Sequence, residues 1–147
     1  MSNIVFMPVI KDPKRIGRSG GYEWSIKSWK FWCVKNDCEL VLLEQPLTDP
    51  AQMSIAWQRY NLFKLLDHSK MDYDQVLMVD ADTIVHPDCP NFFEETDGKY
   101  CGVAETGCYE WVSRSIKKYK EEFWSGTTIH PWSYFNGGFQ IVNESHK

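Results

Sequence analysis

The chain has 147 residues, with 16 basic and 20 acidic side chains and a formal net charge of −4. This length suits one hydrophobic core, so we predict a single domain over residues 1–147. The acidic balance argues against nucleic-acid binding, which requires a basic surface. The sequence is rich in aromatic residues, and most of them are expected to fill the core.

Cysteine usage and the lack of targeting signals indicate a cytoplasmic protein. The five cysteines include no Cys-x-x-Cys pair and are expected to be reduced thiols. No spacing of Cys and His suits zinc. The N-terminus lacks the features of a signal peptide, and no apolar run approaches membrane-spanning length. We therefore expect a cytoplasmic protein with no membrane span.

The chain begins with a predicted strand over residues 3–10, which Pro8 ends or distorts. A glycine-containing loop follows over residues 11–21. Its cations outnumber its one acid, Asp12, so it is either a solvated loop or a flap that faces phosphate groups at the ligand edge of the sheet. The cations are Lys11, Lys14, Arg15 and Arg18.

A helix and a second strand are predicted next. Residues 22–36 have the spacing of an amphipathic helix, and residues 39–43 form an apolar strand. The apolar stripe of the helix comprises Ile26, Trp29 and Cys33, widened by Phe31, Trp32 and Val34.

A second helix is predicted from residue 49 to about residue 68, with Asp49 as its N-cap and Pro50 in its first turn. Two cations on this helix, Arg59 and Lys64, have the ordinary interpretation of surface residues. Because the helix leads into the strand described next, one of them could instead reach over a ligand site. The expected core face of the helix comprises Ala56, Tyr60, Phe63 and Leu66 or Leu62.

The main motif of the sequence is an apolar run over residues 75–85 that contains Asp80 and Asp82. The run reads as a buried central strand of a parallel sheet. Because unpaired carboxylates are costly to bury, we expect both aspartates where the strand emerges, at the carboxyl edge at which α/β sheets bind ligands. Alternation along a strand would place them on one side, as a seat for a hard divalent cation.

The second half of the chain continues this alternation of elements. We predict a short helix over residues 91–95, a strand over residues 99–105, and a helix over residues 110–124 anchored by Trp111 and Phe123. A turn at Gly137-Gly138 then precedes a final strand. The pattern is typical of an α/β fold with a mostly parallel central sheet flanked by helices.

Two motifs in this order resemble those of glycosyltransferases with the Rossmann-like GT-A fold. Segment 79–85, which contains Asp-Ala-Asp, matches one signature of this family. Segment 135–143, which begins with Phe-Asn-Gly-Gly, matches the other. The nearest group is the retaining one that contains glycogenin and bacterial lipopolysaccharide galactosyl- and glucosyltransferases. Family members usually continue with Asp-Gln-Asp and His-x-x-Gly-x-x-Lys segments, which this chain lacks, so we expect a short form without the usual C-terminal extension.

The resemblance implies a donor site and its cofactor. Asp80 and Asp82 would hold Mn²⁺ or Mg²⁺, which bridges the phosphates of a UDP-sugar. Arg59 or its rival Lys64 would contact the donor, and Val9 would lie near the base. Further donor-binding residues implied are Ala81, Asn136, Gly137 and Gly138.

The predicted activity is metal-dependent transfer of a hexose, from UDP-glucose or UDP-galactose, to a glycan, lipid-linked or protein acceptor. Glu105 is a weak candidate for a catalytic base, and a retaining transfer would need none. One alternative is a truncated, non-catalytic module that binds a nucleotide-sugar or glycan. A less favoured one is an Asp-dependent phosphatase or phosphotransferase, in which Asp80 would be a nucleophile.

Overall fold

A computed structural model of the protein describes residues 2–12 and 19–147. The chain divides into two compact units. Unit 1 comprises Met1–Cys101 and Gly138–Lys147, and unit 2 comprises Gly102–Gly137. The assignment of residues 1–147 to a single domain stays a prediction.

The described residues form a mixed α/β structure with one open sheet. The strands are β1 (Ser2–Pro8), β2 (Cys38–Leu43), β3 (Tyr73–Val79), β4 (Cys101–Ala104) and β5 (Phe135–Asn143). The α-helices are α1 (Tyr22–Lys35), α2 (Leu62–Ser69) and α3 (Tyr109–Glu122). Short 3₁₀ helices cover Ser19–Gly21, Ile55–Asn61, Pro131–Ser133 and Glu144–His146. The predicted α/β class is confirmed.

The sheet has the strand order β2-β1-β3-β5-β4 and is mixed. β1 runs parallel to both β2 and β3, whereas β5 runs antiparallel to β3, with Val79 opposite Phe139 and Gln75 opposite Asn143. The prediction of a mostly parallel sheet is therefore not supported. The reason is physical: a continuous apolar run indicates burial on both faces, and strands of mixed sheets can be buried on both faces as well.

The core of unit 1 lies on both faces of the sheet. Successive residues of β1 and β3 point to opposite sides, so each strand supplies both layers. One layer includes Val5, Leu77 and Val79 with two tryptophans of α1, and the other includes Ile4, Phe6, Val76 and Met78 with Leu62 and Leu66 of α2. The predicted buried central strand is thus confirmed. Across the described ranges, no helix combines the length and apolarity needed to cross a lipid bilayer.

Helix α1 follows its prediction closely in extent, but only partly in its buried face. Trp29, Trp32 and Cys33 are buried as the helical spacing predicts. Phe31 is 59% exposed and Val34 is 78% exposed, so their assignment to the apolar stripe was wrong. With 3.6 residues per turn, these two positions lie on the side of the helix opposite the sheet.

The segment before β3 is not one α-helix. Asp49 caps a turn, in which its Oδ1 accepts a hydrogen bond of 2.9 Å from the Ala51 amide. The 3₁₀ helix Ile55–Asn61 follows, and α2 begins only at Leu62. In a 3₁₀ helix, side chains recur every three residues. Gln58 and Asn61 are therefore buried, whereas Ala56 and Tyr60, predicted as core residues, are exposed.

Three further predictions are corrected in detail. Residues 91–95 form turns and not a helix. In α3 the buried residues are Val112 and Ile116, whereas the predicted anchors Trp111 and Phe123 are 47% and 58% exposed. The predicted Gly-Gly turn is also absent, because β5 begins at Phe135 and so includes residues 137 and 138.

Candidate functional site

Asp80 and Asp82 lie directly after β3, at the edge of the sheet where the parallel strands β1 and β3 end. Asp80 is half-buried and Asp82 is exposed. The chain turns here: the Thr83 amide donates to the Asp80 carbonyl at 3.2 Å, and the Asp80 amide donates to the Gly138 carbonyl at 2.9 Å. Strand alternation, which we expected to align the two carboxylates, therefore does not apply, because both residues belong to a turn.

This aspartate turn (residues 80–83) is tied to helix α1 by one side-chain relay. The indole Nε1 of buried Trp29 donates to Thr83 Oγ1 at 3.0 Å. The Thr83 hydroxyl in turn donates to the Asp80 carbonyl at 2.7 Å. The relay satisfies a buried indole N–H and fixes the backbone that carries both aspartates. Sequence reasoning missed this relay, although a threonine directly after the aspartates is a visible signal.

Arg59 is the cation that meets the aspartate turn. Its Nη2 forms an ion pair with Asp80 Oδ1, and its Nε donates to the Ala56 carbonyl at 3.0 Å. The Arg59 side chain is only 13% exposed, so the surrounding residues restrict the position of its charge. Lys64 is exposed on α2. Of the two rival cations, the geometry brings Arg59 to Asp80.

A cavity of about 290 Å³ lies in front of the aspartate turn. Its walls include three predicted site residues from the turn and the cation from the 3₁₀ helix. Those four are Arg59, Asp80, Ala81 and Asp82, and the remaining lining residues are Pro8, Ile10, Asp12, Tyr22, Ser54, Ile55 and Ala56. The strand end, the turn and the 3₁₀ helix therefore converge on one charged cavity within unit 1.

A larger cavity of about 720 Å³ shares a wall with the first one. The shared residues are Ile10, Asp12, Tyr22, Ser54 and Ile55. Predicted site residue Val9 lines this larger chamber. From the predicted cationic loop, Lys11 also lines it, whereas Lys14, Arg15 and Arg18 lie outside the described residues.

Gln58 fixes the segment that walls both cavities. Its side chain is fully buried, and both ends of its amide bond to backbone groups. Oε1 accepts from the Leu47 and Thr48 amides, each at 3.0 Å, and Nε2 donates to the Thr48 and Met53 carbonyls at 2.7 and 3.0 Å. Sequence reasoning missed this residue because it assumed α-helical spacing, in which position 58 is not a core position.

The remaining predicted residues lie in unit 2 or at its boundary. Glu105 follows β4, and its amide donates to the Tyr134 carbonyl at 3.0 Å. Its carboxylate accepts from the Gly107 amide at 3.2 Å and from Asn136 Nδ2 at 3.4 Å. Glu105 and Asn136 are thus brought together within unit 2. Gly137, the residue after Asn136, also belongs to unit 2. Gly138 belongs to unit 1, where it holds the Asp80 amide.

Asp80 and Asp82 offer the oxygen donors that Mn²⁺ and Mg²⁺ prefer. Within residues 2–12 and 19–147, no group of three or more His, Cys, Asp or Glu side chains is arranged to hold a metal ion. The two carboxylates therefore suit a cation whose coordination shell is completed by other oxygen groups. Metal binding stays a prediction.

The fold is similar to that of a solved glycosyltransferase. The crystal structure of a glycosyltransferase involved in the glycosylation of the major capsid of PBCV-1 matches with a TM-score of 0.63 at 12% sequence identity, over 99% of this chain and 61% of that one. The structure of A197 from STIV covers 99% of this chain and 66% of its own, at 16% identity, but its TM-score of 0.38 supports no inference. No protein-family model and no curated protein sequence matches the chain.

The first likeness shows a glycosyltransferase-like fold for this chain. The chain spans about three fifths of the length of that glycosyltransferase, 61% of its residues. Membership of the retaining group named above stays a prediction.

Proposed function

We propose that this protein is a metal-dependent glycosyltransferase that moves a hexose from a UDP-sugar to a glycan, lipid-linked or protein acceptor. UDP-glucose and UDP-galactose are the first candidates for the donor. One observation carries the proposal: Asp80, Asp82 and Arg59 line a single cavity at the carboxyl edge of a glycosyltransferase-like sheet. That edge is where α/β sheets bind nucleotides.

The two adjoining cavities suit the two ends of a nucleotide. The larger chamber is lined on one part by Val9, Ile26 and Ile55, with Tyr22 on its border with the charged cavity. Its polar lining residues are Lys11, Asp12, Glu44, Gln45 and Ser54. A nucleobase and ribose fit such a site, because apolar walls bind ring faces and a few polar groups orient them. The charged cavity then receives the diphosphate, beside Arg59. Arginine suits this task because its fork of N–H donors matches phosphate oxygens.

Asp80 and Asp82 would hold the cation, which supplies positive charge to offset the negative charge that grows on the departing diphosphate. Contacts within the chain would already hold the two aspartates in place without a ligand. Arg59 orients the Asp80 carboxylate, while the Trp29–Thr83 relay and the Gly138 carbonyl hold the backbone of the turn. Preorganised charges of this kind cost no reorganisation during the reaction.

The sugar and the acceptor would meet Asn136, Gly137 and Gly138, largely through backbone groups. Glu105 remains the candidate base, held by the Asn136 side chain and the Gly107 amide. In a retaining transfer the departing phosphate can accept the acceptor proton, so Glu105 would then orient Asn136 without exchanging a proton.

A second candidate is a module that binds a nucleotide-sugar without transferring the sugar. Arg59 already engages one oxygen of Asp80, and the described part of the chain supplies no third metal-ligating side chain. A cation held this weakly could support binding while contributing little to turnover.

The deciding experiment follows UDP release from a panel of nucleotide-sugars, with and without Mn²⁺. We expect release that requires the metal and that is lost in Asp82→Ala, whereas Asp88→Ala, a change at another exposed aspartate, should leave it intact. Metal-dependent binding of UDP with no release under any acceptor would favour the binding module. Phosphate release from a phosphomonoester, lost in Asp80→Asn, would favour the phosphatase instead.

Metal binding should depend on the nucleotide, because two carboxylates fill only part of a coordination shell. Titration calorimetry with Mn²⁺ should therefore show weak binding to the protein alone and firmer binding when UDP is present. Equal metal affinity in both titrations would contradict the proposed role of the diphosphate.

A further inference from the structure

Helix α1 exposes apolar side chains on the side that faces away from the sheet. Trp24 and Phe31 are each 59% exposed, and Val34 is 78% exposed. Together with the exposed Lys27 and Lys30 they form a surface that we call the outer stripe (Trp24, Lys27, Lys30, Phe31 and Val34). Positions 24, 27, 31 and 34 recur at intervals of three and four residues, so they lie along one side of the helix.

The core of unit 1 does not need these side chains. The opposite face of α1 already packs Trp29, Trp32 and Cys33 into the core. An exposed tryptophan, phenylalanine and valine in one row therefore have no role in the internal packing of the described structure. Exposed apolar groups that gather in this way mark an interaction surface more often than single exposed residues do.

The charge of α1 opposes the charge of the whole chain. The helix carries three lysines, Lys27, Lys30 and Lys35, against the single acid Glu23, within a protein of net charge −4. Lys35 donates to the Pro87 carbonyl at 2.7 Å, and Lys27 Nζ lies 4.6 Å from the centre of the Trp24 ring. Lys27 therefore sits beside exposed Trp24, and exposed Lys30 lies one helical turn before exposed Val34.

We propose that the outer stripe docks on the surface of an anionic lipid bilayer. Tryptophan and phenylalanine insert at the level of the headgroups, and lysines lay their methylene stems along apolar surface while their ammonium groups reach lipid phosphates. Lysine is depleted in the core of protein–protein interfaces. A row in which lysines stand between the apolar side chains is therefore better matched by a membrane than by a protein partner.

Membrane docking would place the nucleotide site close to lipid. α1 has 14 residues, which is about 21 Å of helix, and its first residue, Tyr22, lines both cavities. Among the acceptor classes of the proposed function, this arrangement favours a lipid-linked acceptor. That last step rests on the proposed function, whereas the docking itself does not.

The test is co-sedimentation of the full chain with vesicles of phosphatidylcholine alone and of phosphatidylcholine mixed with phosphatidylserine. We expect binding to the mixed vesicles that weakens as salt is added. Lys27→Gln with Lys30→Gln should weaken it by about fivefold per lysine. Trp24→Ser with Phe31→Ser should weaken it by at least about tenfold, because apolar insertion is lost.

Matched controls keep the test specific. Lys117→Gln with Lys118→Gln removes two exposed lysines from α3, and Trp132→Ser removes a tryptophan that is 77% exposed elsewhere. Both controls should bind vesicles as the unchanged protein does. Thermal melting shows whether each variant is folded, and the lysine variants, which alter exposed side chains only, test the proposal if the aromatic variant does not fold.

Three results would overturn the proposal. The unchanged protein could fail to bind the mixed vesicles, or the stripe variants could bind as well as the controls. Alternatively, the stripe variants could convert a self-associated protein into a monomer by size-exclusion chromatography, which would identify a protein interface. The sedimentation test contains no nucleotide-sugar, so its failure is distinguishable from a failure of the proposed function.

Discussion

Two walls of the charged cavity are built in different ways. The aspartate turn continues a buried strand, and its position comes from backbone hydrogen bonds to Gly138 and within the turn. The 3₁₀ helix that carries Arg59 continues no strand, and its neighbouring segment is held by the buried amide of Gln58. One wall is positioned by the sheet, and the other by a side chain.

The comparison separates residues that would touch a ligand from residues that hold them. Asp82 is exposed, so the fold gains little from its carboxylate. Gln58 is fully buried, and it is not among the residues that line the two cavities. Changes at the first kind of residue should alter activity alone, whereas changes at the second kind should alter stability as well.

The largest effect is expected at Asp82. Asp82→Asn keeps the size of the side chain but removes a charge that the proposed cation needs, so UDP release should fall by at least about a hundredfold. The free energy of unfolding should not change. Steady-state UDP release and urea unfolding measure the two quantities, with Asp88→Asn as the control. A clear fall in the free energy of unfolding of Asp82→Asn, absent in Asp88→Asn, would contradict the distinction between the two walls.

At Gln58 we expect a loss of stability. Gln58→Leu leaves the Leu47 and Thr48 amides and the Thr48 and Met53 carbonyls without their partner. Unsatisfied groups of this kind should lower the free energy of unfolding by about 2–4 kcal/mol. Urea unfolding checks this.

Gln52→Leu is the matched control for Gln58, because residue 52 is exposed in the same segment and should tolerate the change. Equal stability of the two variants would show that the 3₁₀ wall does not depend on the buried amide.

The two cations of this region give a third test. Arg59→Ala should weaken UDP binding by about tenfold, since it removes a charge-assisted partner of phosphate and of Asp80. Lys64→Ala should leave UDP affinity unchanged, because Lys64 is exposed on α2. Titration of UDP into both variants measures the difference. A larger loss in Lys64→Ala would reverse the assignment of the donor-contacting cation.

The smallest effect concerns the relay that holds the aspartate turn. Thr83→Val removes both the donor to Asp80 and the acceptor for the Trp29 indole, and should cost about 1 kcal/mol of stability. It should also raise the Mn²⁺ concentration needed for UDP release by about tenfold, the lower end of the effect of groups that orient metal ligands. Thr83→Ser keeps the hydroxyl, so it should need the same Mn²⁺ concentration as the unchanged protein. If Thr83→Ser needs as much Mn²⁺ as Thr83→Val, the relay does not position the aspartate turn.

Much of the fold was predictable from local patterns. The bounds of α1, the strands β1, β2 and β3, and the position of both aspartates beyond the end of β3 all follow from apolar periodicity and from the cost of burying charge. Each of these features depends on interactions between residues close in sequence, or on burial alone.

The tertiary structure decided the features that depend on distant partners. The antiparallel direction of β5, the 3₁₀ form of Ile55–Asn61, and the choice of Arg59 over Lys64 as the partner of Asp80 belong to this group. None has a local signal, because strand direction is set by the path of the chain, and a buried glutamine is recognisable only once its backbone partners are known. The sequence by itself determined which carboxylates stand at the sheet edge; the fold decided which cation meets them and which buried side chains hold both in place.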